Sequence, residues 1–137
     1  MPVGSSGGRF WAAKETFNEH EDVELTVDDT DYPAVEIDCE KFSYFLLMYD
    51  LTETGVLVDG DRVRLQVQFR EAGGTWRTYM NGPFGALFEE ESTTPCSLCV
   101  SGICVGERMR IVATTDYTNA APANNYFTLT SIVTLMR

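Results

Sequence analysis

No apolar run in this chain approaches the roughly 20 residues that a membrane-spanning helix requires. The N-terminus lacks the charged-then-apolar layout of a signal peptide, so synthesis and folding in a host cytoplasm are expected. Histidine occurs once, at His20. Nothing reproduces a phosphate-binding glycine loop or a nucleophile elbow, and the expectation is a protein that is not an enzyme. Basic residues are scarce, ten Lys and Arg against 21 Asp and Glu, and the formal charge is −11. Such a surface repels phosphate backbones and anionic headgroups, which argues against nucleic acid or membrane as a partner. There is no internal repeat and no convincing helical period.

What is present is enough apolar material to build a core. Of 137 residues, 44% are hydrophobic and 12% aromatic, too rich for a disordered chain and the usual size of one domain. Met1 to Gly8 is glycine and serine rich, with nothing to pack, so residues 1–20 read as an N-terminal arm, either held by a neighbouring chain, with Phe10 and Trp11 as interface candidates, or lying back on its own domain with the same two residues as anchor. Residues 21–137 read as the folded domain.

The clearest element is Arg62 to Phe69, where Val63, Leu65, Val67 and Phe69 alternate with polar residues in the period of a half-buried strand. Glu71-Ala72-Gly73-Gly74 then predicts a glycine hairpin into Thr75 to Met80, with Trp76 joining the inner face. Val23 to Val27 predicts a strand with Val23, Leu25 and Val27 inward, and Ala34 to Cys39 one with Val35, Ile37 and Cys39 inward. Phe42 to Leu51 is apolar on both faces, so Phe42, Tyr44, Leu46 and Met48 are candidates for an interface with another subunit or an N-terminal segment. Phe84 and Phe88 read as core contacts, followed by a polar loop from Glu89 to Pro95. A short strand between Cys96 and Cys104, a strand with Met109, Ile111 and Ala113 inward, and a long last strand from Tyr126 to Met136 complete the set. The last strand directs Phe127, Leu129, Ser131, Val133 and Leu135 one way and should lie inside a sheet. About eight antiparallel strands without a helix predict an all-β fold, a β-sandwich of jelly-roll or immunoglobulin-like type with an extended N-terminal arm.

Four cysteines carry the strongest local chemistry. Cys96, Cys99 and Cys104 have the close spacing of metal ligands, and Cys39 would be a fourth thiolate for zinc. The cluster lacks a second close pair, so the expectation is no metal and no cofactor. A disulfide, Cys96 with Cys104 or Cys99 with Cys39, and simple burial as small apolar residues remain open readings. His20 lies among acids and reads as a solvated, more basic imidazole. The acidic runs Asp28 to Asp31 and Asp59 to Asp61 lack the spacing of a calcium loop and read as turns. Arg62, Arg64, Arg70 and Arg77 read as partners in cross-strand ion pairs.

Strand RVRLQVQF with its glycine hairpin and Trp76, strand Arg108-Met109-Arg110-Ile111, and the final strand with Phe127-Thr128-Leu129-Thr130 resemble the small β-sandwich virion proteins of tailed bacteriophages. The resemblance spans roughly Val23 to Arg137. It implies a structural protein of the head decoration or cement type, located on the capsid surface of the virion. It also implies a homo-oligomer, with a trimer as candidate, and the major capsid protein as partner. The competing expectation is a carbohydrate-binding sandwich using Trp11, Trp76, Tyr79 and Tyr126 as stacking platforms.

Overall fold

A computed structural model describes residues 14–58, 60–79, 88–91, 96–118 and 121–137. The arm segment Met1 to Gly8, Phe10, Trp11, the Asn81-Gly82-Pro83 turn and Phe84 lie outside the described residues, as does the side chain of Phe88.

The described residues form strands and no helix. The strands are β1 (Lys14–Leu25), β2 (Asp31–Pro33), β3 (Ile37–Asp38), β4 (Tyr44–Thr54), β5 (Arg62–Arg70), β6 (Arg77–Thr78), β7 (Phe88–Glu91), β8 (Cys96–Ile103), β9 (Arg108–Asp116) and β10 (Tyr126–Met136). One sheet has the order β1-β10-β4-β8. In the other, β9 and β5 lie side by side; β2 and β3 share the outer edge of β9, and β6 and β7 share that of β5. The segments therefore fill eight positions, and every pairing is antiparallel. By position along the chain, first pairs with last, second with seventh, third with sixth and fourth with fifth. That nesting is one long antiparallel hairpin rolled into two layers, the jelly-roll form of the sandwich.

The central strand behaves as its alternation requires: Val63, Leu65, Val67 and Phe69 are buried, and the residues between them face outward. The hairpin after it turns at Gly73, whose φ of 76° suits glycine, with the Gly74 amide donating to the Glu71 carbonyl at 2.7 Å. β10 lies between β1 and β4, with its five inward residues buried. Tyr79 meets Phe45 and Phe69 edge to face across the core, at ring-centroid distances of 5.5 and 5.6 Å, and the two phenylalanine rings are tilted against each other at 6.0 Å. Gly102 lets β8 pass these rings, because a Cβ there would lie 2.8 Å from the Phe45 ring.

Several expectations are corrected. Lys14 to His20 belong to β1 and not to an arm. The alternation of β1 is hidden by two register shifts against β10, between Leu129 and Ser131 and between Ser131 and Ile132. Each adds a residue to β1 and flips its phase, so Phe17, His20 and Val23 all pair with inward residues of β10. Asp22, with φ at 48°, lies within the irregular stretch. Val27 is exposed because β1 has ended at Leu25. Val35 is 71% exposed because the edge is broken there, between β2 and β3. Glu89 to Glu91 is strand where a polar loop was expected, and its register sets Glu91 opposite Arg62 and Glu89 opposite Arg64.

Trp76 is the largest displacement. It is not on the inner face. Its ring lies over the outer face of the sheet, with the guanidinium carbons of Arg70 and Arg110 at 4.7 and 4.4 Å from the ring centroid. The hairpin strand β6 is only two residues long and begins after Trp76, so the alternation of β5 does not carry across the turn.

Candidate functional site

The outer face of the β1-β10-β4-β8 sheet is where the candidate interface residues fall. Burial of Phe45, Leu47, Tyr49 and Leu51 turns Tyr44, Leu46 and Met48 outward along β4. Tyr44 is 51% exposed and Met48 50% exposed, with Leu46 half-buried between them. Register supplies their neighbours. Tyr44 lies between Met136 and Ile103, Leu46 between Thr134 and Ser101, and Met48 between Ile132 and Cys99. Lys14, Thr16 and Asn18 of β1 extend these rows on the far side of β10. Three strands thus present a block without charge, bounded by Lys14 at one margin and by Asp50 in the next row. Phe42 does not belong to it, because it packs against the core.

Sequence reasoning named the β4 part of this block and missed Cys99, Ile103, Ile132 and Met136. The outward set of β10 is legible in its alternation. Its adjacency to β4 is a long-range pairing that no local pattern encodes. Beside Met48 the surface dips into a shallow groove lined by Met48, Tyr49, Asp50, Ser97, Leu98 and Cys99.

The opposite outer face is polar and internally paired. Arg62 binds Asp116 at 3.1 Å, Arg70 binds Glu36 at 2.7 Å, and Arg108 binds Asp38 at 3.0 Å. Arg62 and Arg70 are thus ion-paired as read from the sequence, with the acids coming from β9 and from the broken edge. The Arg110 Nε donates to Gln68 Oε1 at 2.9 Å while its guanidinium covers Trp76. Among the aromatic platforms considered for sugars, Tyr79 is buried, Tyr126 packs against the core, and Trp76 carries two guanidinium groups against its ring.

His20 is 4% exposed, and the expectation of a solvated, more basic imidazole is wrong. Nδ1 lies 2.8 Å from the Ser131 hydroxyl and Nε2 lies 2.9 Å from the Tyr32 carbonyl oxygen. The ring therefore donates from Nε2, accepts at Nδ1 and stitches one sheet to the other. Burial holds its pKa below the usual value, against a raising contribution from the Tyr32 carbonyl. Next to it, Glu19 is pushed up to about 7 by burial, with the Ile111 amide pulling the other way. The Ile111 carbonyl accepts from the Ala34 amide, so in an antiparallel ladder its N–H also faces the break between β2 and β3, where Glu19 meets it. Among the described residues, the second oxygen of Glu19, Oε1, finds no hydrogen-bond partner although it is buried.

The acidic runs serve turns. Asp61 accepts from the amide of Val58 at 2.9 Å and from the Thr118 hydroxyl at 3.0 Å, and also from the Thr118 amide. Asp28 accepts from the Tyr117 amide at 2.7 Å.

The cysteines do not converge as their spacing implied. Cys96 to Ile103 is an extended strand, which carries Cys96 about 26 Å from Cys104 at roughly 3.3 Å per residue. A Cys96–Cys104 bond is therefore impossible. Cys99 points outward beside Met48, away from buried Cys39, which removes the Cys99–Cys39 pairing. Among the described residues, no group of three or more His, Cys, Asp or Glu is set to hold a metal. Cys39 and Cys104 are in side-chain contact.

The fold and this face define a class: an all-β jelly roll with a charge-free block on one outer sheet face. No protein-family model and no curated protein matches the chain. Among solved structures it is similar to the VP2 subviral particle of infectious bursal disease virus, with a TM-score of 0.51 and 8% identity over 90% of this chain and 32% of that one. The Gx strain of the same virus gives a TM-score of 0.48 at 7% identity, covering 90% of this chain and 32% of that one. Dimeric latent PorU of Porphyromonas gingivalis gives 0.45 at 9% identity, covering 90% and 12% respectively. The first likeness is one of fold, over about a third of the viral chain, and the other two are too weak to argue from.

Proposed function

We propose that this chain is a structural virion protein of a tailed phage, a capsid decoration protein that associates with itself and binds the outer shell. The observation that carries the reading is the charge-free block of Tyr44, Leu46, Met48, Ile103, Ile132 and Met136 on a molecule of charge −11. Apolar side chains gathered on one face of a strongly charged protein mark a contact surface. The fold, shared in outline with the VP2 subviral particle of infectious bursal disease virus, supports the same reading. In this proposal the partners are a second copy, with a trimer as the candidate assembly, and the major capsid protein. The role requires neither catalysis nor a cofactor, and it involves no nucleic acid or membrane. The block is the centre of the contact rather than its whole extent, since a stable interface buries about 800 Å² on each partner.

The test uses the purified chain and the double variant Leu46→Glu, Met48→Glu. Wild type should sediment as an oligomer and co-sediment with shells of the phage that encodes it. The variant should keep its melting temperature, run as a monomer and stay in the supernatant. A wild type that is monomeric and indifferent to shells, or a variant that keeps both properties, overturns the proposal. Binding on a glycan array would support the carbohydrate reading instead.

A further inference from the structure

Cys39 and Cys104 open two of the crossovers that join the sheets. Cys39 follows β3 and starts the passage to β4, and Cys104 follows β8 and starts the passage to β9. Backbone hydrogen bonds pin the two passages together: the Cys39 amide donates to the Glu107 carbonyl at 2.9 Å, and the Cys104 amide to the Ser43 carbonyl at 2.9 Å. The Cys39 thiol lies 3.1 Å from the Gly106 carbonyl oxygen and touches the Cys104 sulfur. Its single proton thus has two acceptors within reach. Cys39 is fully buried, whereas Cys104 is half-buried and reachable from solvent.

We infer that Cys39 and Cys104 are a thiol–disulfide exchange pair, which a small-molecule disulfide such as oxidised glutathione converts into an intramolecular bond tying the two crossovers together. The Cys104 thiolate attacks one glutathione sulfur, forming a mixed disulfide and releasing one glutathione thiolate. Cys39 then loses its proton and attacks the Cys104 sulfur, forming the internal disulfide and releasing the second glutathione thiolate. Two thiol protons pass to the two released thiolates, and the two electrons end on glutathione. The asymmetry of the pair suits these roles. A hydrogen bond from Cys39 lowers the Cys104 pKa, against burial, while the contact with Cys104 and burial raise that of Cys39. The more accessible thiol, Cys104, is the attacking one and buried Cys39 resolves.

The experiment equilibrates the full chain with oxidised and reduced glutathione at a series of ratios, then blocks free thiols and maps them by mass spectrometry. Free thiols should fall from four to two, with the peptides of Cys39 and Cys104 joined and the denaturation midpoint raised until reductant is added. In Cys39→Ser the resolving thiol is gone, so a glutathione adduct should accumulate on Cys104. In the double variant Cys96→Ser, Cys99→Ser the cross-link should form as in wild type. Four free thiols at every ratio, a link involving Cys96 or Cys99, or a Cys39→Ser protein with no adduct on Cys104 would each overturn the inference.

Discussion

Glu19 and His20 are neighbours whose burial moves their titrations in opposite directions, and that opposition fixes how stability should depend on pH. Glu19 is raised from its ordinary 4.5 to about 7, so its contribution is intact below about 4.5 and is lost as pH rises through 7. His20 is lowered from 6.5, so the stability from its neutral ring is present above 6.5 and is lost as pH falls through the folded value. Replacing Glu19 by Gln keeps the shape of the side chain and removes the charge. Denaturant unfolding should show wild type losing stability relative to Glu19→Gln as pH rises from 5 to 8, while Glu19→Gln, left with His20, weakens only as pH falls below 6.5; parallel curves would show that Glu19 does not titrate there. Gly102 allows a second test at this scale. A methyl group at that position meets the Phe45 ring and the Tyr79 hydroxyl, so Gly102→Ala should cost about 1–3 kcal/mol although β8 is an edge strand. A neutral result in thermal unfolding would mean that the rings can retreat.

Among elements, β5 sets the register of its sheet, and β9 follows it residue for residue from Arg108 opposite Arg70 to Asp116 opposite Arg62. Leu65 is wholly buried in this ladder, and Leu65→Ala should cost about 2–5 kcal/mol. Gln66 faces outward and accepts hydrogen bonds from Thr78 and Gln68, so Gln66→Ala should cost under about 1 kcal/mol. Equal losses in denaturant melts would contradict the register. β1 and the broken β2/β3 edge solve a joint problem. The break leaves the Ile111 amide without a strand partner, and the irregular stretch of β1 brings Glu19 to it and turns His20 onto the Tyr32 carbonyl. The irregularity of one strand thus repairs the irregularity of the other, across the two sheets.

For the whole molecule, a charge-free block on a chain of net charge −11 would make the self-association proposed above sensitive to salt in a definite direction. Copies that meet across an apolar block while repelling one another elsewhere should associate more tightly as salt screens the repulsion. Sedimentation equilibrium from about 50 mM to 500 mM salt should show this rise; weakening with salt would mean that ion pairs, and not the block of Tyr44, Leu46 and Met48, hold the copies together.

The all-β class, the inner faces of β5, β9 and β10, the glycine hairpin and the two-faced character of β4 were legible in the chain itself. Each depends on a period of two over a few residues, and backbone geometry converts that period directly into faces. The strand β1 was only half legible, because two extra residues break its phase and polar side chains fill the irregular stretch. Choosing jelly roll over immunoglobulin-like sandwich depended on which distant strands pair, and local alternation is the same for either. Three-dimensional placement alone put Trp76 over the arginines, buried His20, brought Cys39 to Cys104 and gathered Ile103, Ile132 and Met136 around β4. The physical reason is common to all four: an extended strand carries residues close in sequence far apart, and only the rolling of the hairpin brings the ends of different strands together.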